Sequence, residues 1–360
     1  MSLSNFAERL IQWYTENKRD LPWRHTRDPY KIWLSEVILQ QTRVKQGMPY
    51  YLKFVATYPT VKTLAEASEQ EVLRLWQGLG YYSRARNMHA AAKYITEELE
   101  EQFPDNYKDL LALKGVGKYT AAAIASFSFN ETVAVVDGNV YRVLARIFGV
   151  EKDIASSEGQ RYFAKLAGSL VSSKRPDLYN QAIMEFGAIH CKPANPDCMF
   201  CTFAVECEAQ QKGLQAKLPV KLKKVKVKDR YFTYFIVEHQ EQLLMKERQS
   251  GDVWQGLYDF PLVESDNFSD LEKILQTGLT IGKIKNTDFL CDLEAKHYKH
   301  VLSHQRIHAR FVRVKVNQNP TAKQVAKELK ARWYGKEEVQ QLPKPVLIDK
   351  YLKEAVNSLI

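Results

Sequence analysis

Cys191, Cys198, Cys201 and Cys207 form a C-x6-C-x2-C-x5-C run of seventeen residues, and the one remaining cysteine, Cys291, stands far from it. Four thiols in so short a segment ask for a metal. Tetrahedral zinc or the four corners of an iron–sulfur cube would each fix a loop that has little apolar material of its own. Two disulfides suit the chain less well, because its N-terminus reads as an amphipathic helix without a secretory signal and cytoplasmic cysteines stay reduced. Structural zinc sites usually present two separated Cys-x2-4-Cys knuckles, and only Cys198 and Cys201 make one here. Bacterial ferredoxin spacing does not fit either.

Two carboxylates are further candidates for chemistry. On a helix running through Leu34-Ser35-Glu36-Val37-Ile38-Leu39-Gln40-Gln41-Thr42, Glu36 has Ile32, Trp33 and Leu39 as its three- and four-residue neighbours. Apolar company on a helix face desolvates a carboxyl group, raises its pKa and makes it a general acid near neutrality. A partly exposed glutamate at the edge of an amphipathic helix fits the same residue types. Asp137, in Ala134-Val135-Val136-Asp137-Gly138-Asn139-Val140, lies between an apolar run and a new helix, the place of an N-cap. Gly115 and Gly117 sit between a short helix and a longer one. Such a turn can aim backbone N–H groups at a phosphate without reading sequence.

The elements that must hold these residues fall into two textures. Apolar positions at three- and four-residue spacing predict helices over 3–14, 30–46, 69–77, 84–99, 119–128, 138–148 and 158–172, closed by the cysteine loop. Residues 1–212 therefore read as an all-helical domain. Residues 213–229 include KLPVKLKKVKVK, with six lysines, and read as a basic linker. From 230 to 360 alternation predicts strands at 231–237, 242–245 and 310–316, with helices near 268–276 and 321–331, an α+β domain. A formal charge of +10 raises the prior for a polyanionic partner. No stretch approaches the ~20 apolar residues of a membrane span, so a cytoplasmic, nucleoid-associated place is expected.

The four-cysteine run resembles the iron–sulfur loop of the endonuclease III and adenine DNA glycosylase family. L-x-x-L-x-G-V-G-x-x-T-A over 110–121 is similar to the helix-hairpin-helix of that superfamily, and V-D-G-N-V to its catalytic-aspartate signature. Leu21-Pro22-Trp23-Arg24, L-S-E-V-I-L-Q-Q-T and Gly78-Leu79-Gly80-Tyr81-Tyr82-Ser83-Arg84 look like the branch that removes adenine mispaired with 8-oxoguanine. The resemblance covers almost all of residues 5–210. It implies one [4Fe–4S] cluster on the four cysteines, helix-hairpin-helix contact with the DNA backbone through Gly115 and Gly117, and a monomer acting on double-stranded DNA containing 8-oxoguanine:A or G:A. Glu36 would protonate N7 of the extruded adenine and Asp137 would stabilise the sugar cation, with Asn139 and Tyr119 in support. Arg24 and Gln181 would contact the adenine edge, and Gln41 and Tyr81 would enter the stack beside the opposite base. Strand-cleaving relatives carry a lysine where Tyr119 stands. Lys118 is one residue early, a rotation of about 100° on a helix, so base removal without a lyase step is expected.

The C-terminal part resembles the Nudix-like domain of the same glycosylases. Trp254-Gln255-Gly256-Leu257-Tyr258-Asp259-Phe260-Pro261 echoes the fold, yet no R-E-x-x-E-E-x-G box follows to hold a catalytic metal. His300-Val301-Leu302-Ser303-His304-Gln305 aligns with the family's F-S-H loop, Leu302 replacing its phenylalanine. Leu302, Ser303 and His304 would then meet 8-oxoguanine.

Overall fold

The computed structural model describes residues 3–222, 227–268, 289–292 and 297–356. Two compact units compose it, Met1–Glu66 with Asn87–Lys223 and Ala67–Arg86 with Lys224–Ile360. Among the described residues no helix is long and apolar enough to cross a membrane.

In chain order the helices up to residue 212 are α1 Leu3–Asn17, α2 Pro29–Leu39, α3 Val44–Thr57, α4 Val61–Glu66, α5 Glu69–Trp76, α6 Ser83–Glu98, α7 Tyr107–Leu110, α8 Lys118–Phe129, α9 Gly138–Ile147, α10 Ser157–Leu170, α11 Pro176–Glu185 and α12 Glu208–Lys212. α2 and α8 are the central pair of the first unit. Every residue of α8 from Thr120 to Phe127 is buried, as is all of 32–38 in α2, the signature of helices apolar on all sides. Asp28 caps α2 by accepting from the Tyr30 N–H at 3.0 Å, and Pro29 opens it with its φ already helical. The single helix expected over 30–46 is two. Gln40 leaves helical geometry and Gln41 takes φ +56°, turning the chain between α2 and α3. Apolar periodicity continues past this break through Val44 and conceals it.

Residues that read as linker are hydrogen-bonded to the helical unit as far as Leu222, whose N–H donates to Asp153 Oδ1 at 3.3 Å. Leu218 is buried and its carbonyl accepts from Arg146 Nε at 3.2 Å, while Val220 O accepts from the Ile154 N–H at 3.0 Å. Leu218 supplies part of the reason, since its side chain is removed from water.

The second unit is built on a mixed eight-stranded sheet: β1 Lys228–His239, β2 Gln242–Glu247, β3 Tyr258–Asp259, β4 Leu262–Ser265, β5 Phe289–Asp292, β6 His297–Val301, β7 Gln305–Val316 and β8 Arg332–Gly335. β1 and β7 pair in parallel at its centre, with Tyr231 opposite His308 and Val237 opposite Val314; the other ladders are antiparallel. Phe235, Val237, Val312, Val314 and Val316 form one face, and α13, Asn319–Glu328, covers it with Ala322 and Val325. α14, Lys336–Gln341, and α15, Val346–Val356, complete the unit. The helix expected over 268–276 lies almost wholly outside the described residues, as does the side chain of Cys291.

Residues 67–86, read from the sequence as part of the helical half, belong with the sheet. Gln70 Nε2 donates to Tyr258 Oη at 2.7 Å, Arg86 Nη1 to the Gln255 carbonyl at 2.7 Å, and the Lys344 N–H to Gln77 Oε1 at 3.1 Å. Periodicity identifies α5 as a helix but says nothing about its partner.

Candidate active site

Glu36 lies in the middle of α2, only 6% exposed. Burial pushes its carboxyl up to about 7, although Tyr119 Oη donates to Glu36 Oε2 at 2.5 Å and stabilises the anion. Tyr119 opens the buried part of α8, so the contact between the two central helices joins acid and phenol. Burial and the neighbouring carboxylates hold the phenol well above its ordinary range, which keeps it a donor. Asp137 also raises the Glu36 pKa by like charge, and Arg24 lowers it.

Asp137 occupies the N-cap of α9. Its Oδ1 accepts from the N–H groups of Asn139 at 2.9 Å and Val140 at 2.8 Å, and its Oδ2 accepts from Asn139 Nδ2 at 2.8 Å. Burial raises this carboxyl too, but the three donors and Arg142 oppose the shift. The two carboxylates thus differ in surroundings: one has a phenol and apolar walls, the other a helix N-terminus. Asn139 is itself held, because Arg142 Nη2 donates to its Oδ1 at 2.9 Å and to the Gly187 carbonyl at 2.6 Å. Gly187 was not singled out from the sequence. A Cβ there would meet Asn139 Cβ at 2.6 Å, so the π-turn Phe186–His190 can approach α9 only with glycine.

Arg24 and Gln181 are both tied to residues the sequence reading missed. Arg24 Nη1 and Nη2 reach Glu185 Oε1 at 3.0 Å and Oε2 at 2.6 Å, and Arg19 binds the same carboxylate. These guanidinium bonds hold the buried Glu185 carboxyl down at about 2 against the cost of its burial. Gln181 Oε1 accepts from Tyr14 Oη at 2.7 Å. Helix α11 was the obstacle: its apolar pattern is weak, and only Pro176 at its start marked it.

All four loop cysteines are free thiols, so the disulfide alternative does not hold. Each sulfur has a hydrogen-bond donor from nearby. Arg146 Nη1 donates to Cys191 Sγ at 3.4 Å and the Phe203 N–H to Cys201 Sγ at 3.4 Å; the Gln215 side chain serves Cys198, and the N–H groups of Ala209 and Gln210 serve Cys207. Burial keeps Cys198, Cys201 and Cys207 above the ordinary thiol range, and the sulfurs raise one another. Donors convergent on four mutually coupled sulfurs suit thiolates bound to a cationic centre. Among the described residues no three such side chains close around a single ion.

Gly115 takes φ +81°, and a Cβ on it would stand 2.7 Å from Asn87 Cβ. Gly117 caps α8 at φ −92° with nothing within 4 Å of a built Cβ, leaving the helix N-terminus open to an anion. Gln41 and Tyr81 are both exposed at left-handed turns, φ +56° and +48°. A non-glycine residue at such a tip is held there by its surroundings at a cost of about 1–3 kcal/mol.

In the second unit Tyr81 Oη and Ser303 Oγ share a hydrogen bond. Leu302, Ser303 and His304 make the turn between β6 and β7, closed by the Leu302 N–H to the Gln305 carbonyl at 2.8 Å; Leu302 is half-buried, Ser303 and His304 exposed. Together with Trp254 and His300 they line a cleft of about 500 Å³. Arg230 fixes the turn from behind, its Nη1 donating to Gln305 Oε1 at 3.0 Å and to Asp252 Oδ1 at 2.9 Å.

Residues 34–168 match the HhH-GPD superfamily of base excision DNA repair proteins, and residues 233–354 match the NUDIX domain. The chain is 33% identical to an adenine DNA glycosylase of Buchnera aphidicola subsp. Baizongia pistaciae, an alignment spanning 87% of this chain and 86% of that one. It is 43% identical to the adenine DNA glycosylase of Homo sapiens over 59% of this chain and 41% of that protein. A solved thermostable thymine-DNA glycosylase superposes with a TM-score of 0.54 at 30% identity, over 58% of this chain and 97% of its own. With acid, aspartate and helix-hairpin-helix on one unit and a Nudix-like sheet in the other, the chain belongs to the adenine DNA glycosylase family of DNA N-glycosylases.

Proposed function

We propose that this glycosylase removes adenine mispaired with 8-oxoguanine or guanine, without cutting the strand. The observation that carries the reading is the unequal pair Glu36 and Asp137. Glu36, held near 7 by burial and bound to Tyr119, is protonated when the base enters and delivers its proton to adenine N7. The bond from C1′ to N9 then breaks, its electrons leaving with the neutral base. Asp137, whose carboxylate form is favoured by its three N–H donors against the cost of burial, faces the sugar cation until water adds at C1′ and releases a proton to solvent, leaving an abasic site. Asn139 keeps Asp137 oriented, and Gly115 with the open N-terminus at Gly117 holds the backbone phosphates.

Extrusion of adenine vacates the stack. Gln41 and Tyr81, held out on left-handed turns, have the exposure to fill it, and Ser303 with its neighbours Leu302 and His304 would read 8-oxoguanine in the cleft beside Tyr81. Arg24 and Gln181 line the adenine side. Tyr119 offers a phenol where a lyase step needs an amine, and Lys118 points elsewhere on the helix. Four donor-supplied thiols support one [4Fe–4S] cluster on Cys191, Cys198, Cys201 and Cys207, which would close the helical unit. The protein would act as a nucleoid-associated monomer on double-stranded DNA.

The test uses end-labelled duplexes containing 8-oxoguanine:A, G:A, 8-oxoguanine:C and G:T, followed by alkali. Cleavage confined to the adenine strand of the first two is expected. Cleavage at the thymine of G:T would instead favour the activity for which the 30% identical structural relative is named. Borohydride trapping should yield no covalent adduct, and an efficient adduct dependent on Lys118 would overturn the lyase-free reading.

A further inference from the structure

Tyr14, on α1, is buried at 2% exposure and packs its ring against the Arg24 guanidinium, whose carbon lies 5.4 Å from the ring centroid. Glu185 holds that guanidinium in a two-pronged ion pair, so the cation against which the buried ring packs is itself fixed. The hydroxyl of this fixed ring donates to Gln181 Oε1 at 2.7 Å. Among the described residues the Gln181 Nε2 group has no acceptor.

We propose that Tyr14 is a specificity-determining residue: it fixes the polarity of the Gln181 carboxamide, so that the pocket accepts adenine and rejects a 6-oxopurine. A carboxamide is nearly symmetric in shape and reads opposite patterns in its two orientations. With its oxygen held by Tyr14, the amide keeps a lone pair for the adenine N6–H and an N–H for adenine N1. A 6-oxopurine presents the reverse, an acceptor at O6 and a donor at N1. To read it, Gln181 would have to turn over, which would leave the buried phenol proton without an acceptor. Tyr14 acts through Gln181 and touches no reacting atom, so it is a positioning residue.

This inference rests on the proposed placement of Gln181 beside the extruded adenine. The experiment measures single-turnover base release from duplexes carrying adenine or hypoxanthine opposite 8-oxoguanine, using the intact protein, Tyr14→Phe, Gln181→Ala and the double variant. Phenylalanine keeps the ring under Arg24 and removes only the hydroxyl. Tyr14→Phe should lower the adenine-to-hypoxanthine rate ratio by about tenfold, consistent with one two-pronged base contact, and should add nothing in the Gln181→Ala background. A purely structural role would slow both substrates equally and leave the ratio unchanged, which would overturn the proposal. If Gln181→Ala alters the ratio and Tyr14→Phe does not, the amide reads the base but Tyr14 does not set it. If Gln181→Ala leaves the ratio unchanged, the placement of Gln181 fails and the proposal with it. Equal melting temperatures for Tyr14→Phe and the parent exclude unfolding as the cause of any change.

Discussion

A carboxyl group held near 7 ties the rate of base release to pH. With Glu36 as the proposed acid, only its protonated form can donate, so single-turnover release should fall as pH rises through about 7, and Glu36→Gln should lose roughly 10²–10⁴ in rate. Duplex affinity should hardly change; equal loss of binding and rate would remove Glu36 from the chemistry. Because the Tyr119 bond stabilises the anion, Tyr119→Phe should move the descending limb to higher pH. A limb moved downward would mean the phenol acts otherwise. The linked effect on stability has a definite sign. Glu36 has a folded pKa above its usual 4.5, so its contribution is most favourable below that value and is lost as pH rises through about 7. Glu36→Gln should therefore gain stability relative to the parent at pH 8 compared with pH 5, as chemical denaturation at the two pH values can check. Glu36 was legible as a candidate because its neighbours on the helix are apolar. Tyr14 and Glu185 were not, because their importance lies in partners 167 and 161 residues away, Gln181 and Arg24.

At the scale of elements, the two glycines before α8 make opposite demands. Gly115→Ala would place a Cβ at positive φ against Asn87 and should cost about 1–3 kcal/mol, with weaker DNA binding. Gly117→Ala, with open space and ordinary φ, should leave thermal stability nearly unchanged and serves as the comparison. Sequence showed the G-x-G turn but not which glycine is obligatory, since that depends on a neighbour in α6. The cysteine loop behaves as an element too. Arg142 and Arg146 of α9 bind the Cys191 carbonyl at 2.8 Å and sulfur at 3.4 Å, so the loop braces the helix that Asp137 caps. Cys198→Ser should therefore lower folding yield or DNA affinity first. A variant that binds DNA normally and only releases adenine slowly would place the loop closer to the reaction than its role as a brace allows.

For the whole molecule, the two units do not follow the order of the chain. Removing everything after residue 223 would strip α5 of Tyr258 and Gly256, against which Gln70 and Leu73 pack. The shortened protein should bind a hydrophobic dye and, on the proposed reading of the β6–β7 turn, release adenine about tenfold more slowly opposite 8-oxoguanine with release opposite guanine little changed. An unchanged ratio of the two rates would separate the β6–β7 turn from base reading. The net charge of +10 belongs to this scale as well, and affinity for any duplex should fall steeply with added salt.

Residue types and local spacing by themselves determined the four-thiol loop, the helix that carries Glu36, the capping position of Asp137, the G-x-G turn and the alternation of the central strands. These are properties of a few consecutive residues, where period and dihedral preference act directly. Tertiary structure decided the break at Gln41, the pairing of Tyr119 with Glu36, the clamp of Glu185 on Arg24, the bond from Tyr14 to Gln181, and the place of residues 67–86 beside the sheet. Each depends on which side chains meet across a fold. Burial and pairing between distant residues set those meetings, and no local pattern records them.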